Sequence, residues 1–347
     1  MTARLSIEQP GLMTAVQDLG RFGSQSLGVP VSGALDTDAL RLANVMVGND
    51  PSAAALEIRM MGPTIRVEAG QVRVALVGTK TPIEVLGGTA AIIPAGHSVI
   101  LATETVFRVG AVKDSGVCYL AVEGSFAITP ELGSLSTYLP GKMGGVEGRP
   151  LMKGDVLPVA GDRPVVGSER RINQGFCIND DDPIRVVLGP QDDWFTASSL
   201  QTFLNTDFIV SPKSNRMGMH LDGAVLEHAK GYNIASDGIV AGSIQVPGNG
   251  SPIILLADRQ TTGGYPKIAS VISADLPRLG RKLPGQTIRF SAVDVPEAEA
   301  LRREAETRFW KVVNALEDVQ PSLDSFDARL IRENLISGVV GEDGQDD

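Results

Sequence analysis

The chain has 347 residues and a formal net charge of −10, with 43% hydrophobic and 21% charged residues. That balance suits a soluble globular protein long enough for two domains of roughly 100–200 residues each. No Lys/Arg run or basic stripe is present, which argues against nucleic acid, and no apolar run reaches the roughly 20 residues of a membrane span.

The start, MTARLSIEQPGL, lacks a basic segment followed by an apolar one, so a cytoplasmic protein is expected. The first polar segment, QDLGRFGSQSLGVPVSGALD, places Gln17, Asp18 and Arg21 beside Gly20 and Gly23. Ser32 and Gly33 then lead into a helix predicted from a cap at Asp36 to about Val47. Ala39, Leu42, Ala43 and Met46 share one face, and Gly48-Asn49 gives the stop. A polar loop entering a helix N-terminus suits a carboxylate or phosphate. The same residues also suit a structural turn with an Asp18–Arg21 ion pair.

Short Val- and Ile-rich strands are predicted at 64–67, 72–77, 90–93, 98–101 and 118–122, each bounded by turn formers. Between about 161 and 183 charge and turn residues interrupt this rhythm, giving the best boundary. Beyond it, strands are predicted at 184–188, 208–210, 253–256, 269–272 and 287–290. Many short strands favour barrels or sandwiches over a doubly wound sheet. Pro296 can open a helix with Leu301, Ala305, Phe309, Val312 and Leu316 in an apolar stripe. A further short helix is expected at 327–336, then an acidic, disordered tail.

Four segments carry candidate chemistry. The loop entering the first helix is one. In GPQDDWF a strand end delivers Gln191, Asp192 and Asp193, suited to acid–base or metal work or to capping a helix. In SNRMGMHLDG, Arg216 has the fork that clamps a carboxylate, and His220 is either a base or a structural residue. The most informative stretch runs from Ser236 to Lys267, SDGIVAGSIQVPGNGSPIILLADRQTTGGYPK. Asp258, Thr261, Thr262, Tyr265 and Lys267 crowd around Gly263-Gly264. Glycines let backbone amides approach a ligand, and the lysine offers a point charge for an oxyanion. An ordinary loop with capping threonines is the alternative.

No Walker A loop, GxSxG elbow or GxGxxG turn is present, and Met152-Lys153 in RPLMKGD does not match a biotin-carrier motif. Cys118 and Cys177 form no CxxC, and His97, His220 and His228 have no ligand spacing, so no metal site is expected.

Ten ordered motifs span about residues 5 to 290: PGLMTAVQDLGRFG, GVPVSGALD, LRLANVMVGND, ALEI, YLAVEGSF, LGSLST, GPQDDWF, SNRMGM, GIVAGSIQVP and LADRQTTGGYPKIA. In these the chain resembles the family of 5-oxoprolinase C subunits, or KipA-type proteins, also called allophanate hydrolase subunit 2. That family supplies the carboxyltransferase half of urea carboxylase. The chain departs from its pattern at Glu123-Gly124-Ser125, Met219-His220 and Gly280-Arg281.

The resemblance implies a mainly β fold of two cyclophilin-like β-barrel domains with a few short helices and a C-terminal helical extension. The expected divisions are 1–165, 183–295, an extension 296–338 and a tail 339–347. It further implies the KipI-type B subunit of 5-oxoprolinase for a partner, joined in the oxoprolinase by a LamB/YcsF-type A subunit. The substrate would be a small amide or lactam, and ATP would be used by the complex at a site not in this chain alone. By resemblance, Lys267 and Tyr265 contact the reacting group, and Asp258 orients Lys267 or accepts a proton. Gln245 and Ser236 supply neutral hydrogen bonds, and Arg216 holds a substrate carboxylate. Thr261, Thr262, Gly263, Gly264, Gln17, Asp18 and Ser32 complete the expected substrate contacts. Three functions follow from the family: the oxoprolinase component; a carboxyltransferase component served by biotin on a separate carrier; and a non-enzymatic antagonist of a KipI-type kinase inhibitor.

Overall fold

The computed structural model describes residues 3–87, 90–161, 167–173 and 182–319. The N-terminal half is two antiparallel sheets. One has the order Val156–Pro158, Arg4–Gln9, Thr64–Ala69, Val106–Val109, Ile83–Leu86, Ala91–Ile93. The other runs Met13–Gln17, Ala55–Arg59, Cys118–Val122, Val72–Val77, Ser98–Leu101. Leu5, Ile65 and Phe107 from the first meet Leu56, Val74 and Leu120 from the second in one core.

Strand Val72–Val77 is buried at all six positions. Its side chains alternate between two apolar surroundings, as the two-residue period of a strand requires. Val72, Val74 and Leu76 enter the inter-sheet core, while Ala75 and Val77 meet Leu40 and Ala43 of helix α1, Thr37–Met46. Asp36 caps α1 as the sequence predicts, its carboxylate accepting the Ala39 amide at 3.0 Å.

The C-terminal half is an eight-stranded, nearly closed barrel sheet. Its order is Thr287–Ile288, Phe208–Val210, Gly218–Asp222, Ile253–Leu255, Ser243–Gln245, Lys267–Val271, Ile184–Leu188, Phe290–Ala292. The last pair is parallel and the others antiparallel. The strand expected at 287–290 is thus divided between the two ends of this sheet. Helix α2, Ala197–Asn205, is not among the expected elements; it is short, and its Phe203 stacks on Phe290 at 4.5 Å between ring centres.

A short helix α3, Leu276–Arg281, precedes the C-terminal helix α4, Val295–Asn314. Phe309 and Val312 of α4 join the α1 cluster, and the Arg41 guanidinium lies 3.8 Å above the Phe309 ring. Leu316 lies beyond the end of α4 but packs on the same cluster. The next segment, Glu317–Val319, pairs with Glu169–Arg171. The helix expected at 327–336 and the acidic tail lie outside the described residues. The mainly β architecture with few helices and a C-terminal helix is as expected. Among the described residues no helix is long and apolar enough to cross a membrane.

Charge and close backbone contact join the two halves. Arg216, from the C-terminal half, donates through Nε and Nη2 to the Asp258 carboxylate at 2.8 and 3.0 Å. Through Nη1 it reaches Glu57 of strand Ala55–Arg59 at 2.5 Å, and through Nη2 the Gly33 carbonyl at 2.6 Å. Tyr119 donates to the other Glu57 oxygen at 2.6 Å, and Ser32 donates to Asp258 at 2.5 Å. Burial disfavours the Arg216 charge, but Glu57 and Asp258 outweigh it and raise the pKa. A second pair links Arg281 to Asp36 at 2.5 and 3.0 Å. Beside it, a Cβ on Gly116 would lie 2.6 Å from the Gly280 carbonyl oxygen, and one on Gly280 would lie 2.7 Å from the Leu35 carbonyl oxygen, so each close approach needs its glycine.

Two outcomes test this junction. Arg216→Met strands two buried carboxylates and should lower stability by about 3–5 kcal/mol, read as a fall in the urea midpoint. Asp38, in the first turn of α1, has its carboxyl pushed up to about 6, by burial first and then by Asp36. The folded state therefore holds that proton more tightly than the unfolded chain, and stability is lost as pH rises from about 4 through 6. Asp38→Asn should raise the melting temperature at pH 8 and leave it unchanged at pH 3.

Candidate functional site

Lys267 opens strand Lys267–Val271, opposite Gln245 across a register shift between Ile244 and Gln245. Such a bulge re-aims side chains at a sheet end. The Lys267 side chain is 3% exposed, and its ammonium donates to Asp237 Oδ2 at 2.8 Å. The Asp237 side chain is 53% exposed. Its other oxygen accepts the Gly238 amide at 2.8 Å. The Lys267 hydrogen bond, the Gly238 amide and the Lys267 charge lower the Asp237 pKa, in that order. Gln191 fixes the lysine backbone from the side: its amide donates to the Lys267 carbonyl and its Oε1 accepts the Lys267 amide, both at 3.1 Å. Gln191 Nε2 lies 3.5 Å from the Asp237 oxygen that Lys267 holds.

The glycine pair shapes this corner. A Cβ on Gly263 would lie 2.5 Å from Ile239 Cδ1 and 2.6 Å from Gln245 Nε2. Gln245 is buried and donates to the Tyr265 carbonyl at 3.4 Å. Thr262–Gly263 forms a two-residue ladder with Asp237–Gly238, and the Thr261 carbonyl accepts the Ile239 amide. Ser236 and Thr262 are exposed, and Tyr265 is 41% exposed.

Asp258 and Arg216 lie instead in the buried junction between the halves. Lys267 is thus oriented by Asp237, while Asp258 is committed to Arg216 and Ser32. Arg216 meets protein oxygens through all three nitrogens, so its fork is occupied by Asp258 rather than turned to a ligand. Gln17 is buried and donates to the Thr137 carbonyl at 2.9 Å. Among the described residues Asp18 makes no direct salt bridge with an arginine, although its charge favours the charged form of Arg21; it accepts the Gly20 and Leu135 amides and the Ser134 and Ser136 hydroxyls. Arg21 is fully buried beside it, donating to the Ser136 carbonyl.

Of the residues named from sequence, Lys267, Tyr265, Gln245, Ser236, Thr261, Thr262, Gly263 and Gly264 gather at one corner of the C-terminal sheet. Gln17 and Asp18 pack against segment 134–137, and Ser32 joins the junction. Asp237 and Gln191 are the partners not assigned to Lys267. The only signal for Asp237 is an acid beside glycine in SDG, within the segment already singled out. The histidines stand apart: His228 contacts the Val246 carbonyl, and His97 bridges to Arg171. Cys118 is buried, which pushes its thiol pKa up, and Cys177 lies outside the described residues. Among the described residues no cluster of His, Cys, Asp or Glu could hold a metal.

The comparisons agree with this architecture. Residues 27–292 match the family model described as carboxyltransferase domain, subdomain A and B. The chain is 35% identical over 318 residues to the C subunit of 5-oxoprolinase from Escherichia coli strain K12, covering 89% of this chain and 99% of that protein. A solved structure described as TTHA0988 matches with a TM-score of 0.75 and 34% identity, covering 84% of this chain but 55% of that one. The K. lactis urea amidolyase structure matches with a TM-score of 0.81 and 28% identity, covering 94% of this chain and 20% of that enzyme.

The pairing of Lys267 with Asp237 has a direct spectroscopic consequence. The Asp237 carboxyl should titrate below the ordinary aspartate range by carboxyl-detected NMR. Lys267→Met should return its midpoint toward that range. The ion pair is complete above the unfolded-state pKa and is lost as pH falls through the lowered one.

Proposed function

The chain belongs to the family of the carboxyltransferase domain, subdomain A and B, and on that premise we propose that it is the C subunit of an ATP-dependent 5-oxoprolinase. With its partners it would open 5-oxo-L-proline to L-glutamate. One observation carries this reading: the match to the C subunit of the Escherichia coli 5-oxoprolinase covers 99% of that relative, whereas the chain equals a fifth of urea amidolyase. The partners would be the KipI-type B subunit plus the LamB/YcsF-type A subunit, and ATP would be used by the complex at a site outside this chain.

In this role Lys267 brings the positive charge that draws the substrate to this corner. Ring opening adds water to the lactam carbonyl, breaks the C–N bond and gives the nitrogen a proton. The oxygen of that carbonyl gains charge on the way, and preset donors lower the barrier. Gln245 is held in place behind the Gly263-Gly264 turn. Ser236, Thr261, Thr262 and Tyr265 rim the same corner and would complete the contacts with the substrate. Arg216 and Asp258 act as positioning residues that hold the two halves together, and Ser32 supports them. Gln17 and Asp18 fix the loop that leads to Ser32.

A second reading has its own support. The similarity to urea amidolyase over 94% of this chain suits a carboxyltransferase component served by biotin on a separate carrier. Reconstitution separates the two. The chain and its two partners should release glutamate from 5-oxo-L-proline only when ATP is present. Absence of release from the folded, complete assembly, with carboxyl transfer to urea from carboxybiotin in its place, would decide for the second reading. In the active assembly Lys267→Ala should reduce kcat/KM at least a hundredfold while leaving the complex itself intact.

A further inference from the structure

The corner around Lys267 contains an ion pair of unequal parts. The lysine belongs to a central strand of the eight-stranded sheet, and its side chain is almost completely buried. The aspartate belongs to a two-residue ladder outside that sheet, and its side chain is half exposed. A buried ammonium needs a counter-ion, so the pairing is strongly favoured from the lysine's side. An exposed carboxylate is well solvated by water and gives up the contact at little cost.

The segment that carries Asp237 is lightly held. Residues 229–238 are exposed except Ile234, which is half-buried. Among the described residues the segment's backbone meets the rest of the chain at Ala229 to Trp194, at Ile234 to Gly264 and in the ladder of Asp237–Gly238 with Thr262–Gly263, and its side chains add the exposed Lys230–Asp193 ion pair and the Tyr232 ring edge-on to His228. Few buried apolar contacts and a solvated backbone mark the low end of local stability. The lysine is fixed: Gln191 brackets its backbone with two hydrogen bonds.

The donors that converge on Asp237 already form a carboxylate site. Lys267 Nζ at 2.8 Å and Gln191 Nε2 at 3.5 Å meet at one oxygen. Both belong to the framework, whereas the Gly238 amide on the other oxygen moves with the segment. Resting on the reading of Lys267 as a substrate contact, we propose that this framework is a subsite for the carboxylate of the substrate and that Asp237 is its displaceable internal occupant. A substrate carboxylate takes the place of Asp237 on Lys267 and Gln191, and segment 229–238 swings outward as it does so. The anchoring role that the sequence suggested for Arg216 then belongs to Lys267. Tethered occupancy raises the apparent Kd for any incoming carboxylate in inverse proportion to the fraction of time the site is empty.

The test reads the accessibility of Lys267 in the purified full-length chain, without the assembly. Lys267 is labelled with an amine-reactive anhydride and quantified by peptide mass spectrometry in the wild type, Asp237→Ala and Asp237→Asn; the asparagine variant keeps the side-chain shape should alanine impair folding. Labelling should rise at least tenfold in Asp237→Ala and by a smaller factor in Asp237→Asn. Added 5-oxo-L-proline should suppress the gain, whereas 2-pyrrolidinone, the same lactam without the carboxylate, should not. Protection by succinate but not by 5-oxo-L-proline keeps the carboxylate subsite and removes 5-oxoproline as its ligand. Unchanged labelling in both variants, or equal protection by the lactam lacking a carboxylate, overturns the proposal whatever the reconstituted assembly does. In that assembly, loss of carboxylate anchoring should make the Lys267→Ala defect fall mainly on KM; a defect confined to kcat counts against it.

Discussion

A single guanidinium sets the relation between the two halves. Arg216 is buried between Glu57 from the N-terminal half and Asp258 from its own half, and each acid would be stranded without it. Two carboxylates and one arginine carry a net negative charge, so the cluster depends equally on its neutral donors. Tyr119 supports Glu57 and Ser32 supports Asp258. An arrangement with this many conditions is satisfied at one relative placement of the halves and at few others.

The candidate corner profits from that rigidity without sharing its residues. Asp258 begins the loop that passes through the Gly263-Gly264 turn and returns to the sheet at Lys267. One end of the loop is therefore anchored in the junction and the other in the barrel sheet. Between them the chain has little freedom, and Gly263 lets Ile239 and Gln245 close on it from the opposite side. The exposed 229–238 segment borders the corner, set against a lysine whose backbone Gln191 holds with two hydrogen bonds.

How much of this was legible in the sequence depended on distance along the chain. The Asp36 cap is a local event between neighbours, and its signal and its structure agree. Strands such as Val72–Val77 were legible because their apolar runs are bounded by turn residues, but their division between two surroundings was not. The motifs were legible as a family signature, and with them the barrel architecture. Partners of charged groups were not. Arg216 meets Glu57 across 159 residues and Asp258 across 42. Read alone, its fork offers itself to any carboxylate, and the protein supplies its own. The resemblance implies Asp258 as the partner of Lys267; the partner in the fold, Asp237, lies 30 residues away and is brought to it by the ladder. A better clue stood in ALEI, where an acid in the middle of an apolar strand demands a cation from elsewhere.

The strand order also implies a timetable of synthesis. Val156–Pro158 pairs with Arg4–Gln9, so every strand of the two N-terminal sheets has emerged once residue 158 is free of the ribosome. Arg216 arrives only afterwards, a delay of seconds at the roughly 5–20 residues per second of translation. Over that interval the half that is already made holds Glu57 without its cation. Tyr119 lies on the adjacent strand, and its hydroxyl is in reach from the start. The acid thus has its neutral donor within the half made first and its cation in the half made last.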